Sequence, residues 1–82
     1  MITGAQIRAA RSALKWSASK LSEASGVSVP TIQRFELGDG IPPSRSSTLI
    51  EVQKTLEAAG IEFIGTPDDR PGIRINRNLK TK

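Results

Sequence analysis

Residues Ser17 to Gly38, SASKLSEASGVSVPTIQRFELG, constrain this chain more than any other stretch. Two short runs of helical periodicity meet there at Gly26, a residue type that readily adopts the left-handed conformation ending one helix and turning sharply into the next. Both runs start in the same way. A hydroxyl residue stands as N-cap, with one apolar residue before it and a second one turn in. These are Ser17 with Trp16 and Leu21, then Ser28 with Val27 and Ile32. An earlier helix opens alike at Thr3, where Gln6 completes a capping box and Ile2 and Ile7 form the staple. Three helix starts with one scheme are mutually supporting signals.

Apolar spacing fills in the helices. Ile7, Ala10 and Leu14 make one stripe in the first, with Arg8, Arg11 and Lys15 off or beside it. Leu21, Ala24 and Val27 are expected in the core from the second helix. Ile32 and Phe35 are expected there from the third, where Pro30 falls harmlessly in the first turn and Gly38 closes the helix. Trp16, before the second N-cap, reads as core packing. Asp39 to Ser44, DGIPPS, is a loop that two prolines keep from continuing the helix. Ser46 or Ser47 is expected to cap a fourth helix carrying Leu49, Val52, Leu56 and Ala59, with Gly60 just past its end. The period then changes to two. Ile61 and Phe63 flank Glu62, and Ile73 and Ile75 flank Arg74, so a β-hairpin is expected with GTPDDRPG as a loose connection and Glu62 facing Arg74.

The chain of 82 residues thus reads as mainly α, with four helices over 1–60, a hairpin over 61–76 and a basic flexible tail over 77–82. Its core is small, which makes pairing with a second copy a reasonable expectation. There is no cysteine and no histidine, which removes disulfides, thiolate metal sites and the commonest general base. The acidic residues fall singly or as Asp68-Asp69 in a turn, so no enzyme, metal or cofactor is expected. No apolar run is long enough for a membrane span, and no secretion signal is evident; a cytoplasmic protein without membrane attachment is expected. A net charge of +4 suits nucleic acid, though a surplus of this size equally serves solubility.

With Leu21, then Ser25-Gly26-Val27-Ser28, then Ile32 and Glu36-x-Gly38, the chain resembles the lambda-repressor/Cro-like helix-turn-helix regulators. Arg11 stands where that family has an arginine on helix 1, and the resemblance covers about residues 3–59. It implies a four-helix lambda-repressor-like domain that binds double-stranded DNA and regulates transcription, in a bacterial or phage setting and as a repressor. A helix suits the major groove, and a second helix across its start holds it at an angle. With Ile32 buried, Pro30, Gln33, Arg34 and Leu37 point outward at 100° per residue. Val29, Pro30, Gln33 and Arg34 are the expected base-reading residues: arginine forks onto guanine, glutamine onto adenine, and valine meets a thymine methyl group.

The resemblance also implies that Arg11 and Glu36 form a partly buried salt bridge that is structural. Phosphate contacts are expected near helix N-termini and from flanking donors, at Ser17, Ser19, Lys20, Thr31, Ser44 and Arg45. The basic residues Arg74, Arg77, Lys80 and Lys82 could also reach phosphate, though a solvated terminus is the simpler reading. Two positions depart from the family. Ala18 stands where many relatives have a phosphate-binding glutamine, and Asp39 lies in a loop that is often basic. The hairpin, where relatives often have a fifth helix, suggests Cro-like dimerisation through Ile61, Phe63, Ile73 and Ile75. A homodimer would read an inverted-repeat operator. The alternatives are an antitoxin-type regulator that also binds a partner protein, or a protein-interaction adaptor on the same fold. The simple alternative for the hairpin is that it only covers helices 1 and 4.

Overall fold

A computed structural model describes residues 2–42 and 46–76. Four helices, α1 (Gly4–Leu14), α2 (Ala18–Ser25), α3 (Val29–Phe35) and α4 (Ser46–Ala58), precede strands β1 (Ile61–Thr66) and β2 (Asp69–Ile75). The expected starts of α1, α2 and α3 form as capped ends: Thr3, Ser17 and Ser28 are extended and accept backbone N–H groups three residues on. Gly26 takes the left-handed conformation at φ 78° and ends α2, and Lys15 does the same at φ 60° after α1. Gly60, just past α4, has φ 108°.

One core joins these elements. It holds Ile2, Ile7 and Ala10 from the α1 region, Leu21 and Val27 from α2 and its turn, and Ile32 and Phe35 from α3. Leu49, Val52 and Leu56 come from α4 and Ile61 from β1, while Leu14, Trp16, Ala18, Phe63 and Ile73 cover its margin. No described helix is long and apolar enough to cross a membrane.

Several local expectations need correction. Gly38 does not close α3, which ends at Phe35 with Glu36 as a right-handed cap; 28–37 is therefore too long a span for it. The bonds from the Glu36 N–H back to the carbonyls of Ile32 and Gln33 tighten the last turn and stop it early. Ala24 is exposed, not core: although three residues on from Leu21, it borders an open groove with Trp16, Thr55 and Ala58. Ser46 and Ser47 lie in the first turn of α4, and the residue before them lies outside the described set. The tail 77–82 lies outside it too.

The hairpin is longer than its alternation suggested. β1 and β2 pair antiparallel with Ile61 opposite Ile75, Glu62 opposite Arg74 and Phe63 opposite Ile73. Much of GTPDDRPG is strand, with the turn confined to Pro67 and Asp68. A register shift between Ile64 and Thr66 accommodates this, with Gly65 at φ 78° and Arg70 at φ 53°. Glu62 and Arg74 face each other at 3.5 Å across an exposed surface, a pair of little energetic weight.

A two-stranded hairpin is marginal alone, and Gln6 secures this one. Its Oε1 accepts the Thr3 N–H at 2.9 Å, completing the capping box. Its Nε2 donates to the carbonyls of Ile64 at 3.1 Å and Gly72 at 2.9 Å, which are cross-strand partners. A single buried amide thus fixes the start of α1 and docks the hairpin on it. Ile61, with 2 % of its surface exposed, is consumed by the same core. It therefore has no side-chain surface to offer a second copy, which corrects its place among dimer residues. Phe63 and Ile73 are half-buried, and Ile75 is exposed.

At Gly4 the backbone of α1 comes close to the end of α3. A Cβ there would land on the carbonyl oxygens of Phe35 and Gly38, both backbone, and the Gly4 N–H bonds the Gly40 carbonyl at 2.9 Å. Substitution Gly4→Ala should therefore cost about 1–3 kcal/mol, because neither obstructing group is a side chain that can rotate away. Urea unfolding followed by circular dichroism measures the loss.

Candidate nucleic-acid interface

Helix α3 is amphipathic for a reason set by its neighbours. Ile32 and Phe35 are buried, at 0 % and 2 % exposure, so the opposite side must face outward. Pro30, Gln33 and Arg34 are exposed on that side and Val29 is half-buried beside them. Leu37, just beyond the helix, is the most exposed of the large apolar residues among the described residues, at 84 %. On this one face the Arg34 guanidinium is a fork of donors that matches the N7 and O6 acceptors of guanine, and the Gln33 carboxamide, with one donor and one acceptor, matches the N7 acceptor and N6–H donor of adenine.

The donors expected to meet phosphate are arranged less uniformly. The Ser17 hydroxyl accepts the Lys20 N–H at 3.0 Å as a cap, with Ser19 and Lys20 exposed in the first turn of α2. The Lys20 ammonium lies 5.6 Å from the centroid of the Trp16 ring, which orients it without burying it. The Ser28 hydroxyl donates to Thr31 Oγ1 at 2.9 Å and accepts the Thr31 N–H, so the Thr31 side chain is set by its own cap. Ser44 and Arg45 lie outside the described residues.

The α3 end is tied to α1 by two arginines. Arg11 forms a two-point pair with Glu36, Nε to Oε2 at 2.9 Å and Nη2 to Oε1 at 2.8 Å. Its Nη1 donates to the Trp16 carbonyl at 3.0 Å, so the same side chain also fixes the link into α2. The Arg11 pKa is held above its ordinary value by the hydrogen bond to Glu36 and that residue's charge, with partial burial opposing. A base raised in this way contributes its stability below its unfolded value and loses it only as pH rises through the folded one. For arginine that lies beyond the working range of a protein, so this side of the pair does not titrate.

Arg8 is the residue that sequence reasoning passed over. It donates to the carbonyls of Glu36 and Gly38, the latter at 3.0 Å, and pairs with Asp39. Asp39 is thus the counter-ion of Arg8 and not an unanswered acid in the loop. A signal was present: on a helix, positions 8 and 11 lie about 60° apart, so the two side chains share one side. What was missing was the location of their partners, 25 to 31 residues away. Gln6 was legible as a capping residue, but its reach to the hairpin was not.

A family model described as helix-turn-helix matches residues 7–56, more than half of the chain. A search of the curated proteins finds no match.

Glu36 is the test of the α1–α3 tie. Its side chain is 10 % exposed and that of Arg11 25 %, between a surface pair and a buried one. Glu36→Gln, which keeps shape and removes charge, should cost about 2 kcal/mol, between the near-zero of exposed pairs and the larger loss from breaking buried ones. A urea midpoint that moves strongly with 0.1 to 1 M salt in the wild type would instead mark the pair as screened and superficial.

Proposed function

The chain belongs to the lambda-repressor/Cro-like helix-turn-helix family, whose members are DNA-binding regulators of transcription, and on that premise we propose that it binds a specific double-stranded DNA sequence and acts as a repressor. One observation carries the reading. The outward face of α3 presents Gln33 and Arg34 to solvent while Ile32, Phe35 and the Arg11–Glu36 pair hold its other side rigid. Such a face enters the major groove, where Arg34 reads a guanine, Gln33 an adenine, and Val29 and Pro30 make apolar contact at the start of the helix.

Ser17, Ser19, Lys20 and Thr31 supply anchorage at the α2 and α3 starts, with Ser44 and Arg45 as further donors. Neither arginine of α1 belongs to the reading set, because both are committed to the end of α3. Occupying an operator blocks transcription without a catalytic step, so control rests on the protein's concentration.

Two copies act together in this proposal, joined through the hairpin. Ile75, at 42 % exposure, and the half-buried Phe63 and Ile73 supply the apolar surface, beside the open edges of a two-stranded sheet. Twofold symmetry would place the two α3 helices about 34 Å apart on an inverted repeat. The adaptor alternative loses one of its supports, since the acid at Asp39 is neutralised by Arg8.

Selection of bound sites from random DNA tests the proposal and should return an inverted repeat. On the selected site, Arg34→Ala should weaken binding by about 1–3 kcal/mol and relax preference at one position of each half-site. Unchanged affinity would remove Arg34 from the reading set. Sedimentation should show a dimer that Ile75→Glu converts to monomer; wild-type protein that stays monomeric on its operator would exclude the hairpin as a joint.

A further inference from the structure

We propose that Arg8 is a positioning residue for base reading: it sets the pitch of α3 in the groove through its hold on residues 36–39. The inference rests on the DNA-binding reading of α3 and adds a residue that touches no base. Arg8 Nη1 donates to two backbone carbonyls, Glu36 and Gly38, while Nη2 pairs with Asp39 Oδ1. Glu36 is the cap of α3, and its carbonyl has no partner within the helix to replace Arg8. The three acceptors lie immediately beyond Gln33 and Arg34, so any play in them is passed to the reading side chains.

The chemistry selects arginine. A guanidinium is a planar fork with five donors in fixed directions, able to serve three acceptors at once, whereas an ammonium is a single point of charge. The hold is continued by the Gly4 N–H bond to the Gly40 carbonyl at 2.9 Å, so residues 36–40 are attached to α1 at several points. At its other end α3 is fixed by the tight turn from α2 at Gly26. A helix held at both ends keeps its side chains within the roughly 0.5 Å and 10–20° that productive contact geometry requires. Held at one end only, a seven-residue helix can rock.

The same geometry separates positioning from charge. The Arg8 side chain is 40 % exposed and its charge is answered by Asp39, whose side chain is 86 % exposed. The pair as a whole is neutral, so it adds little to the general attraction for phosphate. Removing the hold should therefore damage discrimination between sequences more than affinity for DNA as such.

The experiment compares wild type, Arg8→Lys, Arg8→Met and Asp39→Asn, each verified as folded by circular dichroism and urea unfolding. Affinity is measured by gel shift on the site selected by the wild type and on a scrambled duplex, across a salt series. The expected result is that Arg8→Lys, despite keeping the charge, loses on the order of tenfold in the ratio of cognate to scrambled affinity, as Arg8→Met does. The salt slope should change by less than about one, since no phosphate contact is lost. Asp39→Asn, in an exposed loop remote from the core, should lower the ratio by about threefold and serves as the decisive arm if the Arg8 variants unfold. A ratio retained by Arg8→Lys, or in that event by Asp39→Asn, overturns the inference. So does a loss equal on both duplexes with the slope reduced by about one, which would make Arg8 a phosphate contact. A wild type with no preferred site overturns the proposed function itself and this inference with it.

Discussion

A helix of seven residues is too short to be stable by itself in water, so α3 exists only because other elements hold it. That dependence organises the whole domain. Ile32 and Phe35 supply the apolar side of the attachment, buried among residues of α1, α2 and α4. Arg11 and Glu36 supply the polar side, a two-point pair whose other donor fixes the α1–α2 link at Trp16. Gly4 allows the backbones to come close enough for both to form. The outward face of α3 is presented because the opposite face is fully used.

The hairpin stands in a similar relation to the core. Two strands cannot bury enough surface to fold by themselves, and here β1 gives up Ile61 entirely to the helices. Gln6 then joins the strand pair to α1 through the carbonyls of Ile64 and Gly72, leaving no buried side-chain polar atom unpartnered among the described residues. This arrangement divides the apolar residues of the hairpin. Ile61 belongs to the fold, while its cross-strand partner Ile75 stays exposed. A surface for a second copy, if built here, is made of what the core leaves over.

The charged residues around α3 show how context decides their roles. Arg8, Arg11 and Arg34 are indistinguishable as letters, yet of the three only Arg34 faces outward without a described ion pair. The acid at Asp39, which by position argued against DNA, becomes the counter-ion that completes the grip of Arg8 on the helix end. Net charge alone would have assigned all three arginines to the same task.

Local rules were enough for much of this. The sequence by itself determined three capped helix starts, the left-handed turn at Gly26, the stripe that buries Ile32 and Phe35, and the outward direction of Gln33 and Arg34. Each depends on residues within one or two turns of each other, a range over which spacing and side-chain chemistry act directly. The tertiary structure alone decided that α3 ends at Phe35, that Ala24 is exposed, that most of the turn-rich segment is strand, and that Ile61 is core. It alone joined Arg8 to residues 36–39 and Gln6 to the hairpin, across separations of 28 to 66 residues. Those contacts depend on how close two backbones come, a distance set by the packing of the whole core and by the missing Cβ of Gly4, which no local pattern encodes.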